Sequence, residues 1–281
     1  MMIDQYAVFG NPVAHSQSPF IHACFARQQQ QSMHYVATQI DPESFAQQVD
    51  AFLQGQGKGL NITVPFKELA WQLAEVKTPR AALAGAVNTL WRDEQGRICG
   101  DNTDGLGLIN DLTQNLGCSL KGASVLLLGA GGAVRGVIQP LLEAGCSELI
   151  IANRTPEKAQ QLVQHFAETA GAAVTLHACG YSEIPAKAYD VIINGTSASL
   201  QGDLPPLPEA IVGAHSLCYD MMYSATQTPF CHWASRQGAA RAVDGLGMLV
   251  EQAAEAFFRW RERRPDTAPV IAMLRQSLAQ Q

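Results

Sequence analysis

The chain has 281 residues, 47% of them hydrophobic, enough for a sizeable core and two modest domains, which excludes wholesale disorder. A net charge of −6, with pI near 5.6 and no basic patch, argues against a nucleic-acid partner. The seven cysteines are scattered and contain no C-x-x-C pair, which fits free thiols in a reducing cytoplasm; neither a signal-peptide pattern nor a stretch of about 18 apolar residues is present. In chain order, YAVFG (6–10) predicts a strand, 19–30 a helix, MHYVATQI (33–40) a strand and 41–53 a helix. GLNITV (59–64) predicts a strand running into Pro65, and apolar residues at 66, 69, 70 and 73 give the next helix. AVNTLWRD and RICGDNTD flank a turn at 94–96. A helix after Asp104 stops at Gly117, and SVLLLGAGGAVRGVIQPLLEAGCSELIIANRT is one strand–helix–strand unit. A helix over about 156–169 follows, then strands near 173–177, 189–195 and SLCYDMMY. The last helix, GLGMLVEQAAEAFFRWRE, carries an apolar stripe at 249, 250, 253, 254, 257 and 258. Alternating strands and helices predict an α/β protein with parallel or mixed sheets.

VLLLGAGGA (125–133) is the strongest local signal. A strand turns through Gly129 into a helix, and Gly131 lets backbone approach a pyrophosphate, which a helix N-terminus favours. Val134 replaces the third glycine of the G-x-G-x-x-G pattern, and Gly132 is added. The following strand ends at Asn153-Arg154-Thr155 with no Asp or Glu for ribose hydroxyls. Such a cluster suits a 2′-phosphate, because arginine offers charge and a donor fork. NADP is therefore the expected cofactor.

Other polar residues sit at predicted strand ends of the first domain, where open sheets bind ligands. They are Ser16, Ser18, Asn61, Thr63, Lys67, Asn88 and Asp104. Each also has a plain alternative: Ser18 as a helix cap before Pro19, Asn61 and Asn88 in turns, Lys67 solvated, Asp104 as the cap of the helix it precedes. Lys67 stands where the helix dipole disfavours a cation, and a nearby Asp104 would hold and orient it. His15 and His22, seven apart with no carboxylate pair beside them, argue for no metal site.

GNPVAHSQSPFIHA, GLNITVPFKE, GAVNT, GDNTDG, GAGGAVRG, NRT, NGTS, YDMMY and GLGMLVEQAA occur in that order, and together they resemble the shikimate dehydrogenase family over about residues 6–258. The resemblance implies an N-terminal α/β substrate-binding domain (1–104) and a C-terminal Rossmann NADP-binding domain (105–243). A helical segment (244–281) follows, and the last helix is expected to return to the first domain. The resemblance also implies a cytoplasmic monomer or homodimer acting on a small molecule, shikimate or 3-dehydroshikimate, without a membrane or nucleic-acid partner.

Carried over by position, Ser16 and Ser18 would hold the substrate carboxylate, and Asn61, Thr63, Asn88, Asp104 and Gln252 the ring hydroxyls. Tyr223 would line that pocket, and Lys67 and Asp104 would be the catalytic pair. Gly129, Gly131, Gly132 and Ala133 would contact the pyrophosphate; Asn153, Arg154 and Thr155 the 2′-phosphate; Thr196, Met221 and Gly245 the nicotinamide side. Gln17 and Ala23 depart from the family pattern, and Gln17 adds a polar group beside the carboxylate-binding serines. The implied reaction is reduction of 3-dehydroshikimate at C3, with Lys67 supplying the proton. Three rivals are a quinate/shikimate dehydrogenase, a methylenetetrahydrofolate dehydrogenase, and a non-catalytic NADP-binding regulator.

Overall fold

A computed structural model describes residues 3–196 and 203–280. The chain divides into two compact units, 1–107 with 250–274, and 108–249 with 275–281. The expected 244–281 segment is thus shared: its middle belongs to the first unit and both of its ends to the second.

In the first unit, β1 (Asp4–Gly10), β2 (Met33–Gln39), β3 (Gly57–Ile62), β4 (Val76–Lys77), β5 (Thr89–Arg92) and β6 (Ile98–Asp101) form one sheet in the order β2-β1-β3-β5-β6-β4. β1 pairs parallel with β2 and β3, β5 runs antiparallel to β3 and β6, and β4 is parallel to β6. Both faces of β1 are buried. Ala7 and Phe9 face a core with α2 (Phe45–Gln54), while Tyr6 and Val8 face a second cluster with Tyr35 and Trp260. Trp260 comes from α9 (Leu246–Arg261) and packs against Tyr6, ring centroids 4.9 Å apart and tilted by 35°. Gly59 makes that approach possible, because a Cβ there would lie 2.4 Å from the indole. Within the apolar stripe of α9, Val250, Ala253, Ala254 and Phe257 are buried but Phe258 is exposed.

The second unit holds β7 (Ser124–Leu128), β8 (Glu148–Ala152), β9 (Thr175–Cys179), β10 (Val191–Asn194), β11 (Leu217–Asp220) and β12 (Arg241–Asp244), all parallel, in the order β12-β11-β10-β7-β8-β9. The continuous apolar runs VLLL, LIIA and VII are buried throughout, as a parallel sheet with two covered faces requires. The strand order reverses between β7 and β10, the place where such sheets bind ligands.

Several expectations change in detail. Ser18 does not cap the first helix. α1 spans Ser18–Gln28, so Ser18 is its first residue and the capping position is Gln17, which no side chain caps. Ser18 instead gives its backbone N–H to Ser16 Oγ at 3.3 Å. The helix after Asp104 is α5 (Asp104–Asn110) followed by one π-turn over Asp111–Asn115, closed by the Leu116 N–H on the Asp111 carbonyl at 2.9 Å. Sequence reading missed β4, β12, α4 (Pro79–Ala84), α8 (Pro229–Arg236) and α10 (Ala268–Leu278). Thr78-Pro79 and Thr228-Pro229 were readable signals for two of these, since each threonine caps its helix through its hydroxyl.

Candidate functional site

In the first unit the register aligns Asn61 with Thr89 and Thr89 with Asp101 across three strands, so the sheet itself gathers a row of buried polar residues. Lys67 is the first residue of α3 (Lys67–Leu73), and Asp104 opens α5. Their side chains meet: Lys67 Nζ donates to Asp104 Oδ2 at 2.6 Å. The pair is only partly covered, with 23% of the lysine and 10% of the aspartate side chain exposed. Asp104 Oδ1 accepts from Asn88 Nδ2 at 2.8 Å. The carboxylate is therefore engaged by Lys67 and Asn88, and the helix-capping alternative falls away. The backbone N–H of Asp104 goes instead to Asn102 Oδ1, at 3.2 Å.

Asn88 is the hub of this group. Its Nδ2 lies 2.9 Å from Thr103 Oγ1 and 3.3 Å from Gln252 Oε1, so α9 delivers Gln252 to the same place. Asn88 Oδ1 accepts the Thr103 N–H and the Thr89 hydroxyl, each at 2.9 Å. Asn61 is equally engaged. Its Oδ1 accepts from Tyr35 OH at 2.7 Å, and its Nδ2 faces Asn88 O and Thr89 Oγ1, both at 3.2 Å. Thr63 follows β3 and is half-buried, Ser16 is half-buried, and Ser18 is buried. Gln17 reaches back to the His15 carbonyl, and Ala23 is exposed. Tyr223 belongs to the second unit; burial raises its phenol above the ordinary range.

Sequence reading missed the supports of this group. Tyr35, Thr89, Asn102 and Thr103 are all buried, and the last two lay within the quoted GDNTDG. Asp101 is fully buried, held by Arg80 Nε at 2.7 Å and Thr78 Oγ1 at 2.6 Å, and accepts the Asn102 N–H at 2.7 Å. It fixes the turn that aims Asp104.

In the second unit the glycine loop leaves β7 at the switch point and opens α6 (Gly132–Glu143). Gly129 has φ +110°, which requires glycine, whereas Gly131 and Gly132 have neither a positive φ nor any protein atom within 4 Å of an added Cβ. The first turn of α6 has no side-chain cap and no acidic residue. Bare N–H groups facing open space fit a phosphate, and Ala133 continues that turn. Val134 fits because Gly195 makes room, where a Cβ would lie 2.4 Å from Val134 Cγ2.

At the end of β8, Asn153 donates its N–H to Cys179 O at 3.1 Å and its Nδ2 to Thr155 O at 2.9 Å. Arg154 and Thr155 are exposed, and the Thr155 hydroxyl does not cap α7 (Pro156–Ala170). Arg154 bears on Tyr181, whose phenol burial raises. Thr196 gives its hydroxyl to Asn194 Oδ1 at 2.7 Å, and Asn194 donates to buried Asp220 at 3.0 Å. Met221 and Gly245 are packed against one another, since a Cβ on Gly245 would lie 2.4 Å from Met221 O.

Three family models match the chain. They are the shikimate dehydrogenase substrate binding domain over residues 8–90, shikimate / quinate 5-dehydrogenase over 111–201, and the shikimate 5'-dehydrogenase C-terminal domain over 245–275. A protein of Cellvibrio japonicus named shikimate dehydrogenase (NADP(+)) is 52% identical over 277 residues, 99% of each chain. Among solved structures, an Ael1 enzyme from Pseudomonas putida superposes with TM-score 0.91 at 47% identity, covering 96% of this chain and 98% of that one. The shikimate 5-dehydrogenase of Thermus thermophilus, in complex with NADP(H) and shikimate, gives TM-score 0.84 at 32% identity over 98% and 100% of the two chains.

Proposed function

We propose, because the chain belongs to the shikimate dehydrogenase family, that it catalyses the reversible NADP-dependent reduction of 3-dehydroshikimate to shikimate. The observation that carries this reading is the 2.6 Å pair of Lys67 and Asp104 inside a buried group of hydroxyl-binding side chains. The first unit is the substrate-binding part and the second the cofactor-binding part. NADP, when bound, is the hydride carrier; Gly129, Gly131, Gly132 and Ala133 would take its pyrophosphate, Asn153, Arg154 and Thr155 its 2′-phosphate, and Thr196, Met221 and Gly245 its nicotinamide side.

Lys67 Nζ gives a proton to the substrate oxygen at C3 during reduction and takes one back during oxidation. One of its N–H bonds is held by Asp104 Oδ2, which leaves the others for that oxygen. Asp104 aims the lysine and can accept from a neighbouring ring hydroxyl. Asn61, Thr63, Asn88 and Gln252 take the remaining hydroxyls; the long 3.2–3.3 Å bonds of the three amides are the ones a hydroxyl would replace. Ser16 and Ser18, at the uncapped start of α1, hold the carboxylate without a buried arginine. The enzyme works in the cytoplasm, as monomer or homodimer; the seven free cysteines support that compartment.

Absorbance at the nicotinamide band tests the reading, with shikimate or quinate paired with NADP or NAD. Fast reduction of NADP by shikimate alone is the expected result. Comparable rates with quinate or NAD would place the protein in the broader quinate/shikimate group. NADP binding without turnover would favour the non-catalytic regulator, which has no use for the Lys67–Asp104 pair. A second test separates fold from cofactor. Gly131→Ala should leave the melting temperature unchanged, because the added Cβ meets nothing, and should weaken NADP binding about tenfold or more. Gly129→Ala should destabilise the fold, because its φ of +110° strains any side chain. Unchanged NADP affinity in Gly131→Ala would remove this loop from the cofactor site.

A further inference from the structure

Thr63 differs from Asn61 and Asn88 in how its polar group is held. The two amides are fixed by hydrogen bonds, but among the described residues no hydrogen bond fixes the Thr63 hydroxyl. Its backbone is fixed. Thr63 N–H donates to Phe9 O at 2.9 Å, and Val64 O accepts from Asn11 N–H at 3.0 Å, so the end of β3 is laced to the end of β1 on both sides of Gly10. Gly10 cannot recede either, because its own carbonyl takes the Ile40 N–H at 3.1 Å. The Thr63 side chain therefore lies over Gly10. A Cβ on Gly10 would stand 2.4 Å from Thr63 Cγ2, with Val13 Cβ and Cγ2 next nearest at 3.3 Å. The methyl of Thr63 is thus the group that faces Gly10, and the hydroxyl is turned away from it. Gly10 does not have a positive φ, so the space, not the backbone conformation, calls for glycine.

A threonine side chain has three staggered wells, and placing the methyl in one of them places the hydroxyl as well. We propose that Gly10 is a positioning residue: its bare α-carbon seats the Thr63 methyl and so holds the Thr63 hydroxyl in the one rotamer that meets a hydroxyl of the substrate. The proposal rests on Thr63 being a substrate-binding residue. It accounts for a β-branched side chain at position 63 and a missing one at position 10. A serine at 63 would carry the hydroxyl but leave it free to turn onto Gly10. A methyl at 10 would drive the Thr63 methyl from its seat, and the hydroxyl would turn with it.

The test moves one methyl between the two positions. Wild-type turnover of shikimate with NADP comes first and tests the underlying reading by itself. Thr63→Val keeps the seated methyl and removes the hydroxyl, and should raise KM for shikimate about five- to tenfold. An unchanged KM there would take Thr63 out of the substrate site, and the proposal would fall with that reading. Gly10→Ala should also raise KM for shikimate about five- to tenfold, with kcat within about threefold and KM for NADP unchanged. Thr63→Ser, which frees the hydroxyl, should raise it about two- to fivefold. In the double variant the alanine methyl fills the place that the threonine methyl left and bars the serine hydroxyl from it. KM for shikimate should then fall below that of either single variant, to within about twofold of wild type. The same change at position 10 is thus harmful beside threonine and helpful beside serine, a reversal that a merely structural glycine would not give. If Gly10→Ala does not fold, the comparison of Thr63→Ser with the double variant carries the test alone. An unchanged KM for shikimate in Gly10→Ala, or a double variant no better than Thr63→Ser, would overturn the proposal.

Discussion

Replacing Lys67 with methionine is expected to lower kcat by about a thousandfold while moving KM for shikimate only a few-fold. A positioned acid–base group contributes about 10²–10⁴ in rate, and about a thousandfold corresponds to roughly 4 kcal/mol of barrier. Methionine keeps most of the stem volume and removes every transferable proton. The ground-state contacts remain, because Asn61 and Asn88 are held from behind by Tyr35, Thr89 and Thr103, and none of these bonds passes through the lysine. Lys67→Arg should not restore turnover, since a guanidinium does not give up its proton.

Asp104→Asn should behave differently. The carboxylate uses one oxygen for Lys67 and the other for Asn88, and an amide can serve only one of these donors. Loss should therefore appear in both kcat and KM, because the lysine loses its anchor and the Asn88 amide loses a partner. Steady-state kinetics of the three variants, with NADP affinity measured separately, distinguishes the roles. Turnover of Lys67→Met within about threefold of wild type would end the assignment.

What could be read in advance, and what could not, follows from the range of the forces involved. GAGGA and the runs VLLL and LIIA declare a strand, a turn and a helix locally, and the parallel sheet formed where they predict it. The polar residues of the candidate site were legible as types at strand ends, where a buried ligand site would need polar atoms. Their supports were not. Tyr35 looks like any strand aromatic until β1 and β3 bring it beside Asn61, and Asp101 looks like a strand-end acid until Arg80 and Thr78 close on it. The cap alternative for Ser18 shows the limit of a local signal: Ser-Pro marks where the helix begins, but Ser18 is its first residue and Gln17 holds the capping position. The π-turn at Asp111–Asn115 is similar. Asp111 accepts from Tyr219 OH at 2.6 Å, a partner 108 residues away that no local window includes.

The pair of changes Asn153→Asp and Arg154→Ala is expected to reverse cofactor preference, moving the ratio of kcat/KM for NADP over NAD by about a thousandfold. Arg154 is exposed at the end of β8, beside the Thr155 hydroxyl that α7 leaves unused as a cap. Removing the guanidinium deletes a charge-assisted bond to the 2′-phosphate, about 1.5–3 kcal/mol, and leaves NAD untouched because NAD has no phosphate there. The carboxylate adds the rest by opposing a dianion and accepting from the ribose diol of NAD. Its position is fixed by the backbone, since Asn153 N–H is bonded to Cys179 O on the neighbouring strand. The cost to the fold is small. The substitution gives up Asn153 Nδ2 to Thr155 O, but the start of α7 favours an anion. KM for shikimate at saturating cofactor should not change, because these residues and the substrate group lie in different units. A shift in the ratio smaller than about threefold would mean that the 2′-phosphate is held elsewhere, and a raised KM for shikimate would mean that the variant had damaged more than the cofactor site.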